Sequence, residues 1–169
     1  MGVALSHASR RVARRACASA LLALCACEPS ARQHLAESRS LLAEADWSGA
    51  AASAERGLAG DPDAREAWGL ALVRLEGLAR SGRADEARQL LRELARSFPD
   101  RVPPSQYGAT ASQLRAAGQG AAAVEVLDMG LARFPGDPTL DGLIAAAGSA
   151  EDLDPAELEM LKTLGYIDH

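Results

Sequence analysis

Three alanines, Ala50, Ala87 and Ala123, each precede a proline by 12 residues, and those prolines, Pro62, Pro99 and Pro135, stand 37 and 36 residues apart. Spacing kept this closely limits the chain to folds that stack copies of one small unit, each burying the same face against its neighbour. The central copy, residues 82–99, shows what that face is. Ala84, Ala87, Leu90, Leu91, Leu94 and Phe98 recur at three- and four-residue steps, which predicts one apolar stripe along a helix. The other side is charged. Asp85 and Glu86 fall in the first turn and Arg96 in the last, as the helix dipole favours, and Asp85/Arg88 and Glu93/Arg96 are spaced i,i+3. A helix with two such different faces needs a mate, and the flanking copies supply one.

Upstream of each alanine lies a turn, at residues 45–49, 82–86 and 118–122, and upstream of each turn a further helical segment. In the third copy that segment carries Tyr107, Thr110, Ala111 and Leu114; in the second, Trp68, Ala71 and Leu75; in the first, Glu37 and Ser38 stand where an apolar and a small residue are expected. These residues resemble the tetratricopeptide repeat, a helix–turn–helix unit of about 34 residues. The resemblance spans residues 31–136. It implies an all-α, right-handed solenoid of about three repeats, with a degenerate first copy, close helix contacts at the small residues and prolines as helix stops. Leu140, Leu143, Ile144 and Ala147 would form a capping helix, so the repeat domain is expected over 31–147. Trp68 is 19 residues before Ala87 whereas Tyr107 is 16 before Ala123. The first helix of the central unit, 64–80, is therefore expected to be about one turn longer than the repeat requires, or bulged. The resemblance further implies a concave groove lined by the first helices and holding a peptide or a partner helix, with Arg39, Glu76, Arg80, Ser112 and Arg115 as the groove-facing candidates.

Composition agrees with stacked helices. The 169 residues are 48% hydrophobic but only 4% aromatic, so the core must come from Leu, Ala and Val at close helix contacts. Residues 1–26 hold Arg10, Arg11, Arg14 and Arg15 and no acid; without them the formal charge moves from −5 to −9. Such acidity, with few aromatics to stack on bases, argues against a nucleic-acid partner and against a polybasic membrane patch.

The N-terminus reads as an export signal. Four arginines precede an apolar run at 16–26 that is too short to span a bilayer. The run ends Leu24-Cys25-Ala26-Cys27, which resembles the bacterial lipoprotein signal, where a Leu, a variable residue and a small residue precede the acylated Cys. The resemblance implies a signal peptide over 1–26, lipidation at Cys27 and a short linker over 27–30; Cys25 is disfavoured because the bulky Leu24 precedes it. Glu28 in place of an inner-membrane-retaining Asp points to the periplasmic face of the outer membrane. Several acyl chains would make the attachment stable.

The C-terminal stretch, 148–169, is expected to be a polar linker and a helix. Asp154 is the N-cap, Pro155 the first position, Gly165 the stop, and Leu158, Leu161 and Leu164 the apolar stripe. Residues 161–167 resemble a segment near the end of the catalytic domain of some bacterial sulfatases. That leaves two readings, a helix folded back on the last repeat or a docking helix for an envelope hydrolase.

Chemistry of the chain's own finds little support. Cys27-Glu28-Pro29-Ser30-Ala31-Arg32 misses the sulfatase Cys-x-Pro-x-Arg spacing by one residue, and His7, His34 and His169 are scattered. No His pair supports a metal or a nucleophile, and there is no phosphate-binding glycine loop. The expectation is therefore a non-enzyme with no catalytic residue, cofactor, metal or small-molecule substrate: a membrane-tethered adaptor for other proteins in the bacterial envelope, or alternatively an accessory subunit of a hydrolase such as a sulfatase, docked through the C-terminal helix.

Overall fold

A computed structural model describes residues 29–150 and 153–168. The expected signal peptide at 1–26, the lipidation site Cys27 and the terminal His169 lie outside the described residues. Within them the fold is all-α: α1 Ala31–Ala43, α2 Trp47–Ala59, α3 Ala64–Arg80, α4 Ala84–Ser97, a 3-10 turn Pro99–Arg101, α5 Pro104–Ala116, α6 Gly120–Arg133, α7 Pro138–Gly148 and α8 Pro155–Thr163.

Local chemistry sets these bounds. Ser30 and Gln33 form a capping box at the start of α1, Asp63 and Glu66 another at α3, while Asp137 and Asp154 cap α7 and α8 ahead of a proline in the first turn. The hairpins α1–α2, α3–α4 and α5–α6 close by one shared device. Asp46, Arg83 and Gln119 each return an amide to the carbonyl five residues back, Leu41, Leu78 and Leu114, and the residue before each is left-handed. This is the Schellman ending, in which a positive φ lets the chain double back while satisfying the last carbonyls. Gly82 and Gly118 fill the left-handed position at no steric cost; in the first hairpin Ala45 must do so, at φ 61°.

Like-numbered helices lie side by side: α1, α3, α5 and α7 form one row, and α4, α6 and α8 another. The repeating alanines sit between them, Ala50 and Ala87 at 0% exposure and Ala123 at 3%, as close-contact residues should be. How tightly each pair packs follows from side-chain size. The buried face of α2 is Ala50, Ala51, Ser53, Ala54 and Gly57, and α3 meets it with Gly77, where even a Cβ would come within 2.6 Å of the Trp47 carbonyl oxygen. The buried face of α4 is built on Leu90, Leu91 and Leu94, and α3 and α4 approach each other less closely. Small faces admit backbone, and bulky ones hold it off.

Two apolar clusters result. Ala50, Ala54, Leu70 and Val73 fill the end formed by α1–α3; a larger cluster runs from Ala51 through Leu75, Leu91, Tyr107 and Leu127 to Leu161 of α8. The long helix expected at 64–80 has those bounds and 17 residues, against 13 for α1 and for α5, and it continues as α-helix without a bulge.

Candidate interaction surface

The five groove candidates separate into three places. On α1, Arg39 lies with Leu35 against Gly69 of α3, in a cleft it shares with Arg32, Asp63, Arg65 and Glu66. On α3, Arg80 Nε donates to Glu76 Oε1 at 2.8 Å, and its guanidinium lies 4.8 Å from the Trp47 ring centre, so this pair turns toward the start of α2. On α5, Ser112 and Arg115 line one cavity of about 40 Å³ together with Ala111, Leu127, Leu143 and Glu157. Two pairs of candidates are thus brought together, Glu76 with Arg80 on α3 and Ser112 with Arg115 on α5, and the second pair shares its cavity with Glu157 of α8.

α8 lies along α6, beside the end of α5. Nine residues are too few to hold a helix in water without packing, so its order depends on this seat. Leu161 is fully buried there, and Leu153, Met160, Leu164, Tyr166 and Ile167 pack against the large cluster to which it belongs. The expected stripe shifts accordingly: Leu158 is only half-buried, and the inward place one turn before Leu161 belongs to Glu157, at 4% exposure. Its carboxylate reaches in because residue 120 is glycine, where a Cβ would stand 2.3 Å from Glu157 Oε2. Arg115 Nη2 faces Glu157 Oε1 at 3.0 Å, a charge contact without hydrogen-bond alignment. Burial pushes the Glu157 carboxyl above its ordinary range, Arg115 opposes that shift and Asp154 adds to it. Farther along, Tyr166 Oη donates to Asp128 Oδ1 at 2.8 Å, and burial together with that carboxylate pushes the phenol up to about 12.

Within the second row, α4 and α6 are further stitched to each other. Arg88 pairs with both Asp85 and Glu125, and Arg133 donates to the carbonyls of Ala95 at 3.3 Å and Pro99 at 2.7 Å, closing the free end of α4. The Asp85/Arg88 pair is legible from its i,i+3 spacing, but sequence reading missed the ties between helices, as it missed Glu157, because an arginine or a glutamate on a helix has no periodic signature that names its partner on another.

His34, isolated in the sequence, has company in space. Its Nδ1 lies 3.3 Å from Glu37 Oε2 and 3.4 Å from Ser53 Oγ, and Ser53 Oγ donates to the same Glu37 oxygen at 2.5 Å. The Ser53 hydroxyl, followed by His34, holds the Glu37 carboxyl below its ordinary range. The residue types are those of a nucleophile–base–acid set, but the geometry is not. A working set needs one imidazole nitrogen on the hydroxyl and the other on the carboxylate; here one nitrogen meets both, the hydroxyl proton goes to the acid, and Ser53 is fully buried. The cluster joins α1 to α2. Among the described residues no group of three or more His, Cys, Asp or Glu gathers as a metal site would, and no helix is long and apolar enough to cross a membrane.

Compared with protein-family models, with curated proteins and with solved structures, the chain matches none of them.

Proposed function

We propose that the chain is a tetratricopeptide-type, right-handed solenoid, tethered by lipid at Cys27 on the periplasmic face of the outer membrane, where it serves as a non-catalytic adaptor for other envelope proteins. The observation that carries the repeat reading is one triplet seen three times: a left-handed residue at 45, 82 and 118, a buried alanine five residues later, and a proline 12 beyond that. Each triplet belongs to one hairpin; the first helices of successive hairpins are neighbours, and so are the second helices α4 and α6, as in a stack of such repeats. The tether rests on the sequence alone. The partner segment would lie on the surface of the first helices, where Arg115 and Ser112 share a cavity.

Docking of a hydrolase through 157–167 is the weaker reading, because Glu157 and Leu161 are already spent on this chain's own α6. Two measurements test the proposal. Wild-type protein should partition with membranes and Cys27→Ser should not; a serine variant that stays wholly membrane-bound removes the anchor. Affinity purification from detergent extracts should recover an envelope protein whose retention falls with Arg115→Glu. Recovery of a hydrolase that depends on residues 154–169 and ignores Arg115 would favour the accessory-subunit reading instead.

A further inference from the structure

Of the five candidate groove residues, Ser112 stays exposed while Arg115 is half-covered from within the chain. The helix that lies against Arg115, α8, is chemically an odd choice for a permanent wall. It places a carboxylate, Glu157, in a cavity otherwise lined chiefly by Ala, Val and Leu. The partner of that carboxylate, Arg115, is itself half-exposed, and the contact lacks hydrogen-bond alignment. A buried ion pair of this kind contributes specificity more readily than stability, since an apolar side chain would fill the same space without desolvating a charge. The seat is nevertheless shaped for the acid: Gly120 leaves the gap that Glu157 Oε2 enters, and Arg115 supplies the opposite charge. α8 makes almost no close backbone approach to α7, its neighbour in sequence, and the chain end meets α7 through side chains, Ile167 lying against Gly148.

We propose that the surface formed by α5, α6 and α7 is a binding groove for an amphipathic helix carrying a carboxylate in its first turn and a leucine four residues later, and that α8 is the chain's own displaceable occupant of it. The partner is thus a protein helix with the chemistry of α8: the acid against Arg115 and Gly120, the leucine in the place of Leu161, a further apolar residue in the place of Leu164. While α8 is seated, a partner sees only the fraction of molecules in which it has lifted, and its apparent affinity falls by that fraction. This deepens the adaptor reading and rests on it for the identity of the site.

The test uses the full chain and a labelled synthetic peptide of residues 153–168. Leu161→Ala with Tyr166→Phe loosens α8 without touching the α5–α7 surface. The loosened chain should bind the peptide at least about tenfold more tightly than wild type, because the intramolecular competitor is weakened. Arg115→Glu in that background should abolish the gain, and a peptide carrying Glu157→Arg should restore it, which a purely structural role of Arg115 does not predict. No gain in a loosened chain whose α5–α7 amides remain protected overturns the proposal, and so does a loosened chain that dimerises and refuses the peptide. Should the double variant fail to fold, hydrogen exchange on wild type decides: α8 amides exchanging at least about tenfold faster than those of α6 support a displaceable helix, and exchange together with α6 overturns it. Peptide binding in the absence of any Arg115-dependent envelope partner would leave the groove standing and remove the adaptor reading.

Discussion

At the scale of single residues, the backbone of Ala45 carries the clearest consequence. Ala45, Gly82 and Gly118 occupy the same left-handed position in three hairpins, and only Ala45 has a Cβ to accommodate there. That conformation costs a non-glycine residue roughly 1–2 kcal/mol, partly offset by the greater freedom glycine has when unfolded. Ala45→Gly should therefore stabilise the protein by about 0.5–1 kcal/mol and raise its Tm by a few degrees. Gly118→Ala, with nothing within 4 Å of the added carbon, should cost about as much for the backbone reason alone. Thermal unfolding of the two variants checks both signs. Tyr166 yields a prediction in pH. Its phenol is raised from the ordinary 10 to about 12, so its contribution to folding is fully present below the unfolded value and is lost as pH rises through about 12. Alkaline titration followed by phenolate absorbance should show α8 releasing in that window, and Tyr166→Phe should leave only Tyr107, itself raised by burial.

At the scale of elements, helices were legible in the sequence and their partners were not. The bounds of α3 could be read because Asp63 caps one end and a glycine turn closes the other; the buried alanines could be read because they recur with the helix period. Glu157 and the His34–Ser53–Glu37 cluster could not, since each depends on which face of one helix meets which face of another, and no periodicity records that. The same limit hid the unequal packing of α3, close to α2 and looser against α4. Two glycines make that asymmetry measurable. Gly77→Ala adds a carbon 2.6 Å from the Trp47 carbonyl and 3.0 Å from Ala51 Cβ, so it should cost about 1–3 kcal/mol despite alanine's better helix propensity. Gly142→Ala, in α7 with nothing within 4 Å, should gain up to about 1 kcal/mol from propensity alone. Opposite shifts of the denaturant midpoint are the expected result; a gain at both sites would mean that α2 and α3 are not in close contact.

At the scale of the whole molecule, the proposed repeat arrangement would distribute stability along the chain rather than gather it in one centre. The small cluster of α1–α3 and the large one reaching α8 meet only along α2 and α3, where Ala50 and Ala54 face one, Ala51 the other, and Leu70 alternates with Ala71. If the helix pairs stack as proposed, each is held by its neighbours, and the effect of a lesion should depend on its place in the stack. Ser53→Ala removes the hydroxyl that links Glu37 and His34 at the α1–α2 end and should cost about 1–2 kcal/mol, confined to that end. Ala87→Trp forces a large ring into a fully buried central contact and should cost about 1–3 kcal/mol or more, with both neighbours of α4 affected. Hydrogen exchange resolved by segment separates the outcomes. For Ser53→Ala, amides of α1 and α2 should lose protection while those of α5 and α6 keep it; for Ala87→Trp, protection should fall from α3 through α6 together. Uniform loss in both variants would mean that the two clusters open as a single unit, and a stack of separately stabilised pairs would then be the wrong description of this fold.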